Sequence, residues 1–288
     1  MWPLDTLLHH IPQTLGDRKM ELAFFADEVS KEDFEEAIRL GVEAGATGVE
    51  LRGGIWGRRV QEIDDNEVNR VLRVLEKCQV PVLSVGSPFG KCSHENELEM
   101  SEHHEMFPRM IELAQTFGTP VIRGFGLWNP IRGDESAPRP DIEAYLDTVV
   151  GFLSPAVEAA EKAGVTLSLE NEDATLVGTC SEAKKVANEL GNSPGISFCW
   201  DVTNGIVCGE QAYPDGYAEI KGNITHLHVK PNREGELDPI DGSDLNYGEL
   251  LKVMLKDGYE GAASIEHWDS PERMLKGVRA LRRVIDAL

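Results

Sequence analysis

Four side chains able to bind a metal ion or move a proton stand at matching places in four short apolar segments. They are Glu170 in Val165-Thr-Leu-Ser-Leu-Glu-Asn171, Asp201 in Ile196-Ser-Phe-Cys-Trp-Asp201, His228 in Thr225-His-Leu-His-Val-Lys230 and Glu266 in Ala262-Ala-Ser-Ile-Glu266. Each segment sorts its residues by a repeat of two. Leu167, Leu169, Phe198, Trp200, Leu227, Val229 and Ile265 fall in one phase, while Thr166, Ser168, Ser197, Cys199, His226, Ala262 and Ser264 fall in the other. A two-residue repeat is that of a β-strand, whose side chains alternate between faces. One carboxylate at a strand end is ordinarily a solvated rim residue. Four polar residues at the C-terminal ends of four strands, in one phase, point to a common centre.

Two glutamates, an aspartate and a histidine at one point would set three negative charges together. Without a counter-ion such proximity raises carboxyl pKa values and costs several kcal/mol per group. One divalent cation removes the conflict. Carboxylate oxygens suit magnesium and manganese, and a single imidazole shifts the preference toward manganese, cobalt or zinc. The expectation is therefore one divalent ion, manganese first and magnesium, cobalt or zinc behind it, held by Glu170, Asp201, His228 and Glu266. Four protein ligands leave an octahedral ion two open positions for two neighbouring substrate oxygens. Lys230, Arg233 and Trp128 are the expected substrate contacts around it, and Glu50 is expected either to meet substrate or to support a ligand from behind, with His226 one layer deeper and Arg123 bridging to Glu50.

The elements that must carry these residues alternate along the chain. Strand-like runs near residues 21–25, 48–52, 80–85 and 120–123 precede the four already described. Helical patterns fall between them, near residues 30–44, 65–78, 97–117, 141–163, 181–190 and 244–257, and a last helix opens at Pro271. Ser30-x-x-Asp33 resembles a capping box, and Gly45, Gly118, Gly164 and Gly258 sit where helices end. Eight strand–helix units with no change of composition read as an α/β protein, a single-domain (β/α)8 TIM barrel over residues 20–288, preceded by an extension over residues 1–19. Active sites of such barrels lie at the strand C-terminal ends, where the four residues fall. Their small axial residues depart from the usual bulky interior and predict a polar, hydrated upper barrel.

The 288 residues carry a net charge of −22, which repels a phosphate backbone and argues against nucleic-acid binding. No apolar run approaches the roughly 18 residues of a membrane span, and the N-terminus lacks a basic-then-apolar leader pattern. The five cysteines show no C-x-x-C spacing, so a reducing cytoplasm is the expected location.

Leu169-Glu-Asn171, Cys199-Trp-Asp-Val-Thr-Asn204, His226-Leu-His-Val-Lys230 and Ser264-Ile-Glu-His267 resemble the motifs of the xylose isomerase-like barrels, the sugar phosphate isomerase/epimerase superfamily. The resemblance runs from about Met20 to Val284 and is similar in kind to ketose 3-epimerases and inosose dehydratases. It implies metal ligands at Glu170, Asp201, His228 and Glu266, with Glu170 and Glu266 also the acid/base pair. Many members carry His where this chain has Asn204, a position the resemblance makes a substrate contact. The implied function is a divalent-metal-dependent sugar isomerase or epimerase, abstracting a proton alpha to a carbonyl through a metal-stabilised enediolate. A dehydratase or 3-keto-glycoside lyase using the same site is the alternative. Behind it stand a metal-free glycoside hydrolase built on Glu170 and Glu266, and a sugar-binding barrel without turnover. The expected partner is a small carbohydrate, and a homodimer follows by analogy with related barrels.

Overall fold

The alternation of short apolar runs and amphipathic segments produces one closed sheet in the computed structural model, which describes residues 20–134, 136–237 and 246–288. Its strands are β1 (Glu21–Phe24), β2 (Val49–Leu51), β3 (Val82–Val85), β4 (Val121–Gly124), β5 (Thr166–Glu170), β6 (Ile196–Asp201), β7 (Ile224–Val229) and β8 (Ala262–Ile265). All pairings are parallel, in the order β1-β8-β7-β6-β5-β4-β3-β2. A parallel bridge between Phe25 and Glu50, with Gly48 N donating to Leu22 O at 3.1 Å, closes β1 onto β2. The result is the expected (β/α)8 barrel. Residues 1–19, read as an extension, lie outside the described residues.

The helices are α1 (Phe34–Glu43), α2 (Asp65–Cys78), α3 (Glu97–Phe117), α4 (Leu146–Ala163), α5 (Cys180–Glu189), α6 (Val202–Val207), α7 (Tyr217–Ile220), α8 (Tyr247–Lys256) and α9 (Pro271–Asp286). Helix α1 starts later than Ser30 because Asp33 is its true cap, accepting from Glu36 N at 3.1 Å. Ser30 Oγ instead accepts from Asp33 N and fixes the turn before it. Similarly, α8 starts at Tyr247 because Asn246 Oδ1 accepts from Gly248 N and Glu249 N. The N-terminal part of the helix expected from residue 244 lies outside the described residues.

Bulky strand residues pack outward, and burying each such side chain contributes about 1.5–3 kcal/mol. Trp200 stacks on Tyr217 of α7 with ring centroids 5.4 Å apart. Phe24 lies so close to α1 that a Cβ at Gly41 would meet its ring at 2.0 Å, so only glycine fits there. The opposite phase lines the barrel axis, with one change. Phe198 pairs with Ile224 and Cys199 with His226, leaving Thr225 as an inserted residue in β7. A strict repeat would send Thr225 outward. The bulge turns it inward, where its Oγ1 meets Ser197 Oγ at 2.7 Å and Ser168 Oγ at 2.9 Å. These hydroxyls line the lower interior and leave the charged residues to the top.

Candidate metal centre

Glu170 ends β5, Asp201 ends β6, His228 is the penultimate residue of β7, and Glu266 directly follows β8. One donor atom from each lies within 4.8 Å of the others, and all four residues are buried. His228 Nδ1 stands 3.2 Å from Glu170 Oε1 and 3.9 Å from both Asp201 Oδ2 and Glu266 Oε2. Its other ring nitrogen, Nε2, lies 3.1 Å from Glu50 Oε2, and the same oxygen lies 2.8 Å from His226 Nε2. Without an ion both ring nitrogens face carboxylate oxygens as N–H donors; with a divalent ion bound, a proton kept on Nε2 and donated to Glu50 would free the Nδ1 lone pair for the ion, as in a histidine ligand braced from behind.

The backbone of the site is locked by Asn171. Its Oδ1 accepts from Asp201 N and its Nδ2 donates to Asp201 O, both at 2.8 Å, so the ends of β5 and β6 are held in register. Asp201 Oδ1 caps α6 by accepting from Asn204 N at 2.9 Å, leaving Oδ2 for the cluster. There Oδ2 meets Lys230 Nζ at 2.8 Å, and Lys230 also reaches Glu266 Oε2 at 3.6 Å. Arg123, buried on β4, stands 3.4 Å from Glu170 Oε2 and 3.8 Å from Glu50 Oε1.

Arg52, just beyond β2, gives Nη1 to Glu266 Oε1 at 2.8 Å, Nε to Asp27 Oδ2 at 2.9 Å and Nη2 to Glu28 Oε1 at 3.0 Å. Its guanidinium lies 4.0 Å from the ring centroids of Phe25 and Trp268. Glu28 Oε2 accepts from His267 N at 2.6 Å and Trp268 N at 3.2 Å, tying the β8 exit to the first βα loop.

The charges follow from these contacts. Burial pushes Glu170 up, but His228 and Arg123 hold its carboxyl down at about 2. Glu50 is likewise pushed up by burial and held well below its usual range by His226 and His228. Burial raises Asp201 despite the opposing Lys230, whereas Lys230 and His228 together keep Glu266 low against its own burial. Burial alone would lower His228, yet Cys199, whose Sγ lies 3.5 Å from Nε2, together with Glu170 and Glu50 on its two nitrogens, keeps it well above the ordinary imidazole range. Two neighbours go the other way: burial pushes Glu28 and Glu172 each up to about 7. The three converging carboxylates thus draw on the His228 imidazolium, the Lys230 ammonium and the guanidinium groups of Arg123 and Arg52 for compensation. Glu170 Oε2 is buried without a hydrogen-bond partner. This oxygen-rich donor set with one imidazole fits a divalent cation.

Two of the candidate substrate contacts are buried away from the open mouth. Glu50 is fully buried behind His228, with Oε2 engaged by two imidazoles, so it faces away from the open end. Asn204 is buried too: its Nδ2 donates to Asn171 O at 3.0 Å and its Oδ1 accepts from Lys230 Nζ at 2.8 Å, so it holds the lysine. Lys230 reaches the cluster, Trp128 is half-buried in the loop after β4, and Arg233 is exposed. His103 and His104 of α3 are half-buried and pack on Phe89 with ring centroids 6.3 and 6.0 Å away. Sequence reading missed Arg52, Glu28 and the locking role of Asn171. Arg52 carried a faint signal in directly following the β2 carboxylate stretch.

A buried carboxylate–imidazole cluster at the C-terminal mouth of an eight-stranded parallel barrel defines a class. The xylose isomerase-like TIM barrel family model matches residues 38–284, and the chain belongs to that family. Among individual relatives, L-ribulose-5-phosphate 3-epimerase UlaE of Shigella flexneri serotype 5b is 26% identical over 243 residues, covering 81% of each chain. A xylose isomerase-like barrel protein from Mycobacterium smegmatis, solved with magnesium, superposes with a TM-score of 0.72 at 16% identity, over 93% of this chain and 97% of that one. The IolI protein, solved with a zinc atom, gives 0.71 at 15% identity, over 93% and 99%. No helix among the described residues is long and apolar enough to cross a membrane.

Proposed function

We propose that this chain is a divalent-metal-dependent sugar epimerase or isomerase that moves a proton at the carbon next to a carbonyl. The observation that carries the reading is that two glutamates, Glu170 and Glu266, belong to one buried four-residue donor cluster. The 3-epimerase among the named relatives, and the magnesium and zinc of two related barrels, support it. When bound by Glu170, Asp201, His228 and Glu266, a divalent ion, manganese first among manganese, magnesium, cobalt and zinc, would supply Lewis-acid polarisation of the substrate carbonyl.

The chain's own groups do the rest. Glu170, on β5, and Glu266, after β8, flank the centre, with Asp201 and His228 between them. Either glutamate can take the proton alpha to the carbonyl while the other returns one. Return to the same carbon from the opposite face gives epimerisation; return to the former carbonyl carbon, with the neighbouring hydroxyl proton passing to the former carbonyl oxygen, gives isomerisation. Arg123 and Arg52 keep the two glutamates ionised and oriented by separate ion pairs. Lys230 and Trp128 would meet the sugar, with Arg233 at the rim. A substrate with a leaving group beta to that proton would be eliminated by the same residues, the dehydratase or lyase outcome. A metal-free glycosidase is disfavoured, since a retaining pair flanks its bond at roughly 5–5.5 Å, and here an imidazole stands within the cluster.

The test is metal content beside turnover. Purified protein should carry one divalent ion per chain, and a chelator should abolish both bound metal and deuterium uptake from D2O into a ketose. At an ion concentration of about 100 times Kd, binding contributes about 2.7 kcal/mol, so the chelated protein should melt at roughly 5–10 °C lower. Turnover that persists after complete chelation overturns the reading.

Glu50 is assigned here to brace the histidine ligand. Glu50→Gln should weaken divalent-ion affinity by about 10–100-fold, measured by calorimetry on metal-free protein with its circular dichroism intact. Wild-type affinity in that variant would show that His228 needs no support from below.

A further inference from the structure

We infer that Glu172 is a specificity-determining contact of this site: its carboxylate accepts a hydrogen bond from a substrate hydroxyl outside the two reacting carbons, and Lys91 positions it for that contact. The inference rests on the reaction proposed above, which places the reacting carbons at the four-residue cluster.

The chain sets Glu172 on a braced turn directly beyond the cluster. It lies two residues past Glu170, the last residue of β5. Its N–H donates to Val177 O at 2.9 Å, and Thr175 N donates to Glu172 O at 2.9 Å, which closes the turn on itself. The turn is also stitched to the loop after β4. Asn129 N donates to Ala174 O and Leu176 N to Leu127 O, both at 3.0 Å, and Thr175 between them is fully buried. A side chain on such a support is held in place before any ligand arrives, as a discriminating contact requires.

The side chain leans over the barrel axis. It is 19% exposed where Glu170 is 1% exposed, so it stands above the cluster at the edge of solvent. Burial pushes its carboxyl up, Glu170 and Glu266 add to that push, and Lys91 and Lys230 oppose it. Glu170, Glu266 and Lys230 sit at the ends of β5, β8 and β7, and Lys91 lies in the loop after β3. A carboxylate that feels all four points inward over the mouth, not outward over the helices.

Lys91 reaches the same place from the neighbouring wall. Gly90 before it holds a φ of 86°, and a Cβ there would meet Phe125 O at 2.0 Å, so glycine lets the loop after β3 press on the loop after β4. That approach sets Lys91 Nζ 4.1 Å from the Phe125 ring centroid and 5.5 Å from that of Trp128. Nζ then meets Glu172 Oε2 at 3.4 Å. A tight ammonium–carboxylate hydrogen bond is about 2.7–2.9 Å long, so this pair is loose. A loose pair offsets little of the burial of Glu172 beside two like charges, and glutamine would fill the same space without the charge. A charge kept where it costs stability marks a functional site. Lys91 as donor beside Glu172 as acceptor matches a hydroxyl, which both donates and accepts.

The test uses the metal-loaded full chain, wild type beside Glu172→Gln, Lys91→Met and Lys91→Arg. The substrates are a ketose that the wild type turns over and its deoxy analogues, each lacking one hydroxyl beyond the reacting carbons. The readout is kcat/KM for deuterium uptake next to the carbonyl. Glu172→Gln should lose about 10–100-fold on the parent ketose, the span of one hydrogen bond to a charged group, with ion content unchanged and Tm no lower. On one deoxy analogue the wild type should fall by that same factor and Glu172→Gln no further. Lys91→Met should lose less, again only when that hydroxyl is present, and Lys91→Arg should recover most of it. No loss in Glu172→Gln, equal losses on the parent and every analogue, or a loss that tracks a lower Tm overturns the inference. The same cycle, run by calorimetry on the non-reacting polyols of these sugars, reads the contact without turnover. If the loaded wild type exchanges protons with no ketose, the proposed reaction fails. The polyols still decide Glu172 in that case: a Kd that Glu172→Gln leaves unchanged for every one of them overturns the contact.

Discussion

Glu170→Gln should lower turnover by about 10³-fold, within the range of 10²–10⁴ that a positioned acid/base group contributes. The amide keeps an oxygen for an ion but cannot accept the substrate proton at neutral pH. It also replaces a charge that Arg123 at 3.4 Å and His228 at 3.2 Å are arranged to face. If the two glutamates serve opposite faces of the carbon, the loss is lopsided. In D2O, the epimer whose hydrogen faces Glu170 should fail to exchange, while the other epimer still loses its hydrogen to Glu266. Single-turnover exchange, followed by NMR with each epimer separately, reads this directly. Equal residual exchange from both epimers would mean that one base serves both faces, and the assignment of Glu170 and Glu266 as a pair would fall. Because the substituted amide still offers an oxygen donor, a measured ion content near the wild-type value separates lost proton transfer from lost metal.

The parts of this site written in local periodicity were legible from the sequence. Thr166, Ser168 and Glu170 share a phase, so the axial face of β5 could be read without its neighbours, and the same holds for Ser197, Cys199 and Asp201. The parts that depend on register between strands were not. The inserted Thr225 changes the pairing of β6 with β7, and Glu50 pairs with Ser84 after a register shift against β3, which sinks it below His228. A repeat of two carries no record of such shifts, so the sequence left open whether this strand-end carboxylate meets substrate or stands behind His228, where Oε2 contacts Nε2 at 3.1 Å. Long-range partners were hidden for a related reason. Arg52 and Glu266 are 214 residues apart and meet only because closing the barrel sets the ends of β2 and β8 on either side of β1. Asn171 stood in plain view within its motif. Its role required knowing that the end of β6 lies within reach of its amide.

Arg123→Met should be the most destabilising conservative-volume change in the upper barrel. Arg123 is 4% exposed, and its guanidinium stands between Glu50 and Glu170, flanked by Phe25 and Phe125 at 5.2 and 5.1 Å. Methionine fills part of the space but leaves two buried carboxylates sharing fewer positive charges. Removing one partner of such a buried arrangement costs about 3–5 kcal/mol, which for a chain of this size is a fall of roughly 6–20 °C in Tm. The sign of the compensation is also fixed. Arg123 is among the charges that hold Glu170 low, so without it Glu170 is protonated at higher pH, and the stability it gives through ionisation is lost earlier on acidification. A divalent ion brings positive charge back to the same carboxylate, so manganese should recover more Tm in Arg123→Met than in the wild type. Combining it with Glu50→Gln, which deletes one of the stranded charges, should cost less than the two single changes added together. Thermal melts of the four proteins, with and without ion, decide the matter. A fall below about 2 °C for metal-free Arg123→Met, or simple additivity with Glu50→Gln, would mean that the barrel interior compensates its carboxylates without this arginine.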